Sequence, residues 1–254
     1  MKNIVAIIQA RVGSTRFKNK ILKTLYEKTL LEHVVERVSY SKCVNNIVLA
    51  TTLNQEDDEL ISIANSNQIS SYRGSVDNVL ERFYFTAQKY KADVIVRVTA
   101  DDPFKDPTIM DIAIDYLINN NYDYVSNTII PSYPEGIDIE VFSFEALQKA
   151  FLEAKLPSEK EHVTPYIWKN ENLFKLKNFC HTEDLSDLRW TIDYEEDYLF
   201  ARNIYERLYP QKKIFLMADI LDLIKKDRLS IVKKKVVRNE GYKKSIEGEI
   251  LCKE

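Results

Sequence analysis

Five glycines, three histidines, three cysteines and two tryptophans in 254 residues leave little room for several common kinds of site. Neither the two-glycine phosphate loop ending in Gly-Lys-Ser/Thr nor the three-glycine dinucleotide fingerprint is present. Cys43, Cys180 and Cys252 are odd in number and widely spaced, which fits free thiols rather than a disulfide framework or metal finger. No Ser-His-Asp or Cys-His pair stands at a recognisable spacing for nucleophilic catalysis. The formal net charge of −3 lacks the basic excess of a chain that coats nucleic acid. Long apolar runs are missing too. The one that follows Met1-Lys2-Asn3 stops at Ile8, too short for a signal segment or a membrane span. A cytoplasmic protein without nucleic-acid or membrane partners is expected.

The hydrophobic share of 45% and charged share of 30% suit a folded chain with a sizeable core. Its length suits one large domain with a small appendage. Apolar runs and helical patterns alternate. Strands are expected at Ile4–Gln9, Ile47–Thr51, Ile69–Tyr72 and Asp93–Thr99, with helices near Leu30–Ser41, Asp57–Asn65 and Asp77–Tyr90. This rhythm predicts a Rossmann-like α/β fold, a doubly wound and mostly parallel sheet. The middle is less regular, with strands expected at Tyr124–Ser126 and Ile137–Phe142. Helices are expected near Thr108–Asn119, Phe144–Ala154 and Glu161–Asn170. A strand at Leu188–Ile192 should close the core, and helices Glu195–Leu208 and Met217–Lys226 should pack outside it. We read residues 1–227 as the domain, about 127–180 as an insertion that covers substrate or pairs two copies, and 228–254 as an extension. Lys233-Lys234-Lys235 in that tail reads as a solvated face, with docking on a partner subunit as the alternative.

Three constellations carry chemistry. The loop Gln9-Ala10-Arg11-Val12-Gly13-Ser14-Thr15-Arg16, with Lys20 beyond, sets three cations, two hydroxyls and a glycine just past the first strand. A triphosphate needs such donors, although spacing alone fits a basic surface loop equally well. Asp101 and Asp102 follow the strand ending at Thr99, where parallel sheets place ligands and where a carboxylate can hold Mg2+. Asp102 reads as a supporting acceptor or a turn cap. Asp193 follows Leu188–Ile192 and precedes a helix, so a helix cap competes with a metal role.

These segments together resemble the cytidylyltransferase family, in particular its spore-coat-polysaccharide branch. Arg11 to Lys20 is similar to the family's A-R-x-x-S-T-R-x-x-x-K loop, with Lys18 and Asn19 where Pro and Gly are usual. Ala100-Asp101-Asp102-Pro103 resembles its G-D-x-P element, and Thr191-Ile192-Asp193 begins its late T-x-D-x-x-E-D element. The resemblance extends to Arg73-Gly74-Ser75 with Asn78 and Arg82, to Pro134 through Phe142, and to Glu161-His162-Val163-Thr164-Pro165-Tyr166. It covers residues 3 to about 208. It implies transfer of CMP from CTP to a sugar acid, sugar or phosphorylated acceptor for surface-glycan synthesis, with pyrophosphate released. It implies Mg2+ held by Asp101 and Asp193, with phosphates held by Arg11, Arg16 and Lys20. Ala10, Gly13, Ser14, Thr15, Arg73, Gly74, Ser75, Asn78 and Arg82 would lie along the nucleotide, and Asp138, Glu140 and His162 near the acceptor. A homodimer is expected from the family. A nucleotide-sugar glycosyltransferase and a non-catalytic nucleotide-binding protein are the rival readings.

Overall fold

The structure is a computed structural model and describes residues 2–14, 16–227 and 238–251. Thr15, Lys233-Lys234-Lys235 and Cys252 lie outside the described residues. The chain opens with β1 (Ile4–Gln9), whose side chains alternate between two cores. A two-strand ribbon, β2 (Thr24–Leu25) and β3 (Lys28–Thr29), then leads into α1 (Leu30–Ser39). Thr29 and Glu32 start α1 with a reciprocal capping box. Next come β4 (Asn46–Thr52), α2 (Asp58–Ser66), β5 (Ser70–Gly74), α3 (Val79–Lys89) and β6 (Val94–Thr99). Asn78 caps α3 by accepting from the Glu81 amide at 3.0 Å.

β5, β4, β1 and β6 lie side by side in that order, all parallel. The chain therefore reverses its winding between β1 and β6. At such a switch point the loops leaving two adjacent strands diverge and open a crevice. The loops concerned are Ala10–Asn19 and Ala100–Asp106, the first two constellations.

Beyond β6 follow α4 (Pro107–Asn120), β7 (Tyr124–Ser126), β8 (Glu140–Ser143), α5 (Phe144–Glu153), α6 (Pro157–His162), α7 (Pro165–Lys169) and β9 (Leu176–Asn178). They extend the sheet to seven strands, and β8 runs antiparallel to both β6 and β7. The chain ends in α8 (Glu195–Leu208), α9 (Met217–Asp227) and α10 (Glu240–Leu251). Ile4, Ala6 and Ile8 face the core shared with α1, α2, α4, α8 and α9, while Val5 and Ile7 face the core shared with α3 and α5. The doubly wound α/β expectation holds.

Four expectations of detail change. Leu188–Ile192 is buried at its end but among the described residues makes just one isolated bridge, Arg189 with Glu135, which itself lies outside the named strands, so it is a packed extended segment and not a closing strand. The Ile137–Phe142 strand shifts to Glu140–Ser143, because Ile137 and Ile139 exchange bonds with the Asn127 side chain instead of a neighbouring strand. The helix expected over Glu161–Asn170 breaks into α6 and α7 at Val163, which has φ 71° just ahead of Thr164 and Pro165. The tail, read as a solvated extension, contains α10, which packs back on α6.

Candidate functional site

Lys20 stands at the centre of the crevice and is buried at 8% exposure. Its ammonium donates to Asp101 at 2.7 Å, Asp193 at 2.9 Å and the Ile192 carbonyl at 2.8 Å. Two carboxylates distant in sequence therefore converge on one cation. Their approach is fixed by backbone, since the Ile192 amide donates to the Asp101 carbonyl at 3.0 Å. Arg16 donates to the same Asp193 oxygen at 2.6 Å, and Arg189 holds the other at 2.8 Å. Arg189 is itself anchored on Glu135 at 2.5 Å.

Burial favours the neutral acid at Asp193, but the charge of Lys20 and the bonds from Lys20 and Arg16 outweigh it and hold its pKa far below the usual carboxylate range. Burial likewise opposes the charge on Lys20, and Asp101 and Asp193 overcome it and raise its pKa. Asp193 does not cap α8. Asp197 plays that part, accepting from the Asp193 and Tyr194 amides. Asp102 is occupied as well, taking the Thr99 hydroxyl at 2.5 Å and pairing with buried Lys105 at 2.8 Å.

Gly136 closes this region from behind. At φ 105° its missing Cβ would sit 2.6 Å from the Thr191 amide nitrogen, so only glycine lets the 135–137 turn lie against the backbone that delivers Asp193.

Two cavities meet at this cluster. One, of about 1100 Å3, lies over the first loop and the start of α3. The other, of about 400 Å3, lies over β8 and α7. Arg16, Thr99, Asp101, His162 and Gly241 belong to both. Their charges differ in sign. The larger contains Arg11, Arg16, Lys20, Arg82, Lys155, Lys160 and Lys244 against Asp77, Asp101 and Glu161. The smaller contains Arg16, Arg97 and Lys105 against seven carboxylates, among them Glu135, Asp138 and Glu140.

In the larger cavity Arg82 is the telling residue. It is 3% exposed, donates to the Ser75 carbonyl at 2.6 Å, leaves Nε without a partner, and pairs with no carboxylate among the described residues. Burial, followed by the charge of Arg11, lowers its pKa to about 10. A buried guanidinium left this way is a demand for an anion. Ala10, Arg11, Gly13, Ser14, Ser75 and Asn78 share the lining. Gly74 lies behind, where an added Cβ would come within 3.2 Å of the Arg82 stem. Arg73 is not brought there. Its guanidinium is spent on the Thr52 and Asn54 carbonyls and on Asp58, tying β5 to the start of α2.

In the smaller cavity Glu140 accepts from the Tyr124 hydroxyl at 2.7 Å, the Thr164 hydroxyl at 2.5 Å and Arg97. Against the pull of burial, Arg97 and these bonds lower its pKa. Asp138 differs. Burial pushes it up to about 6, although Arg238 and Lys105 work the other way. His162 meets the Ser245 hydroxyl at 3.0 Å, and burial followed by Arg97 lowers it to about 4, leaving a neutral ring at neutral pH. The left-handed backbone at Val163 is strained for a β-branched residue, and it sets Thr164 on Glu140 beside His162.

Arg189, Glu135 and the α10 residues are not among the site candidates read from the sequence. A buried arginine amid Leu188, Trp190 and Ile192 was the available sign of the first; α10, polar and weakly periodic, carried none.

A switch-point crevice with a cationic cavity, and two carboxylates at its rim, defines an α/β nucleotide-handling enzyme. Residues 5–236 match the cytidylyltransferase family. A spore coat polysaccharide biosynthesis protein of Bacillus subtilis is 35% identical over 82% of this chain and 88% of its own. An uncharacterized protein of Methanocaldococcus jannaschii is 43% identical over 77% of this chain and 80% of its own. The structure of a cytidylyltransferase from Leptospira borgpetersenii superposes with a TM-score of 0.87 at 33% identity, covering 93% of this chain and 99% of the other. The chain belongs to the cytidylyltransferase family and is a CTP-dependent nucleotidyltransferase. No helix among the described residues is long and apolar enough to cross a membrane.

Proposed function

We propose that the enzyme transfers CMP from CTP to a sugar acid, sugar or phosphorylated polar acceptor, releasing pyrophosphate, in the synthesis of a surface polysaccharide or glycan. The observation that carries the reading is the junction of a cationic and an anionic cavity at Asp101 and Arg16. CTP fits the first, with its phosphates along Arg11, Arg16, Lys20 and Arg82. The acceptor fits the second, with Asp138, Glu140 and His162 around it.

Nucleotidyl transfer asks the protein for alignment and charge stabilisation more than covalent help. The acceptor oxygen attacks the α-phosphorus, the bond to the β-phosphate oxygen breaks, and Arg11, Arg16 and Arg82 offset the charge gathering on pyrophosphate. Lys20 is placed to move from the two carboxylates to a phosphate.

Among the described residues no three His, Cys, Asp or Glu side chains form a ready-made metal cluster. Mg2+ commonly needs only one or two carboxylates beside substrate phosphates, and Asp101 and Asp193 already meet on one cation. These two would hold it, and it would supply charge neutralisation at phosphate oxygens and a lowered pKa for a bound hydroxyl.

Pyrophosphate release should be measured with each of the four nucleoside triphosphates, with and without Mg2+, across a panel of sugar acids, sugars and sugar phosphates. Release with CTP alone among the nucleotides, requiring both acceptor and Mg2+, is the expected result. Equal release from all four would end the cytidine assignment. Cleavage of a nucleotide sugar instead of CTP would favour a glycosyltransferase.

A further inference from the structure

The family match ends at residue 236, and α10 begins at Glu240, yet α10 borders both cavities. Its entry is pinned to the acceptor side. Arg238 pairs with Asp138 and donates to the Tyr133 carbonyl at 3.0 Å, and the Asn239 amide donates to Glu135 at 3.1 Å. Farther along, Glu249 accepts from the Ser158 amide at 2.5 Å.

This anchoring sets Tyr242 into the smaller cavity opposite Trp168, with ring centres 5.7 Å apart and planes at 70°. His162 closes the corner, 5.2 Å from Tyr242 and nearly perpendicular to it. The ammonium of Lys169 lies 5.7 Å from Trp168 and 5.4 Å from Tyr242. The Tyr242 hydroxyl is buried and has no hydrogen-bond partner among the described residues. A buried phenol usually finds one, and leaving it unpaired costs stability.

We propose that Tyr242 and Trp168 form a ring-binding corner for the acceptor, in which the C-H face of a sugar ring packs on the aromatics and the Tyr242 hydroxyl bonds a ring substituent. The acceptor class is thus a polyhydroxylated ring, held by an element that lies beyond the matched residues 5–236. This deepens the transfer reading above and rests on it for the word acceptor, though not for the binding itself.

The full-length chain and its Tyr242→Phe, Tyr242→Ala and Trp168→Ala variants should be titrated without nucleotide. The probes are 2-keto-3-deoxy-manno-octonic acid, N-acetylneuraminic acid, N-acetylglucosamine and glucose 1-phosphate. Ligand-detected NMR reads the sugar, and calorimetry reads CTP separately. At least one sugar is expected to bind. Tyr242→Phe should weaken it about threefold to tenfold, the loss of one hydrogen bond. Either alanine variant should weaken it by about tenfold or more through lost ring contact. CTP affinity should hold within about twofold. The inference is overturned if no sugar binds the wild-type chain, if the alanine variants bind sugar as the wild type does, or if CTP is weakened as much as the sugar. Sugar binding that depends on Tyr242, without pyrophosphate release from any nucleotide, would sink the transfer reaction while leaving the corner in place.

Discussion

Replacing Lys20 with methionine separates what the central cluster does for the fold from what it does for chemistry. The ammonium satisfies two carboxylates and a carbonyl at 2.7 to 2.9 Å from a buried position. Removing one partner of a buried ion pair costs about 3–5 kcal/mol. Asp101 keeps 29% side-chain exposure, and Asp193 keeps Arg16 and Arg189, so the loss should fall lower, at about 2–3 kcal/mol. For a chain of this size each kcal/mol moves the melting temperature by roughly 2–4 °C, which gives a drop of about 4–12 °C. Mg2+ should then matter more to the variant. In the wild type it has to displace an ammonium, whereas in the variant that ammonium is gone and only Arg16 and Arg189 still hold Asp193. At a hundredfold excess over its dissociation constant it should restore about 2.7 kcal/mol. Calorimetric melts of both proteins with MgCl2, against NaCl of equal ionic strength, read this directly. A variant that melts like the wild type, or an equal Mg2+ shift in both, would refute the assignment of Asp101 and Asp193 as a shared cation site.

Arg82→Leu should leave the melting temperature unchanged or raise it, because a buried charge without a carboxylate is removed, while CTP affinity falls by about tenfold in a calorimetric titration. Gly136→Ala should destabilise by about 2–4 kcal/mol in urea unfolding, since a positive φ and a 2.6 Å approach to backbone must both be relieved. Asp138, raised to about 6, is faced by Arg238, Lys105, Asp102 and Glu135. It is charged above that pH and neutral below it, so the Arg238 ion pair that anchors α10 weakens on acidification. The acceptor KM should rise as pH falls below about 6, and by more than the CTP KM, because α10 meets the larger cavity as well; equal movement of both would refute it. His162 has a depressed pKa of about 4, so its contribution to stability is present above the ordinary histidine value of 6.5 and is lost as pH falls toward 4. His162→Gln should flatten that part of a pH-stability curve.

The half of the fold built from local rules was legible from residues. Ile4–Gln9 is apolar up to its last residue and Val94–Thr99 is apolar apart from Arg97 and Thr99, both runs being buried on both faces over most of their length as parallel strands demand, and α1 is marked by Thr29 and Glu32. Asp101 and Asp193 each stand just past an expected strand, but the residues alone left Asp193 open between a helix cap and a metal role, and it was the family resemblance that paired the two. Leu188–Ile192 misled because burial and extension alone resemble a strand, and only its partners reveal that it pairs at one residue. Arg73 misled differently. It stands in a segment resembling the family's, but Asp58 and two carbonyls reach it first. The docking of α10 depends on contacts such as Arg238 with Asp138, a hundred positions apart, and no local pattern encodes those.

The opposite polarity of the two cavities also bears on errors. A triphosphate that strays into the carboxylate-lined side meets repulsion from several groups at once, and a substrate rich in hydroxyls gains little among the guanidinium and ammonium groups opposite. An uncharged acceptor would thus be separated from the triphosphate by sign before any close fit is tested, whereas a sugar acid or phosphorylated acceptor would meet the same carboxylates and depend on Arg16, Arg97 and Lys105 to offset them.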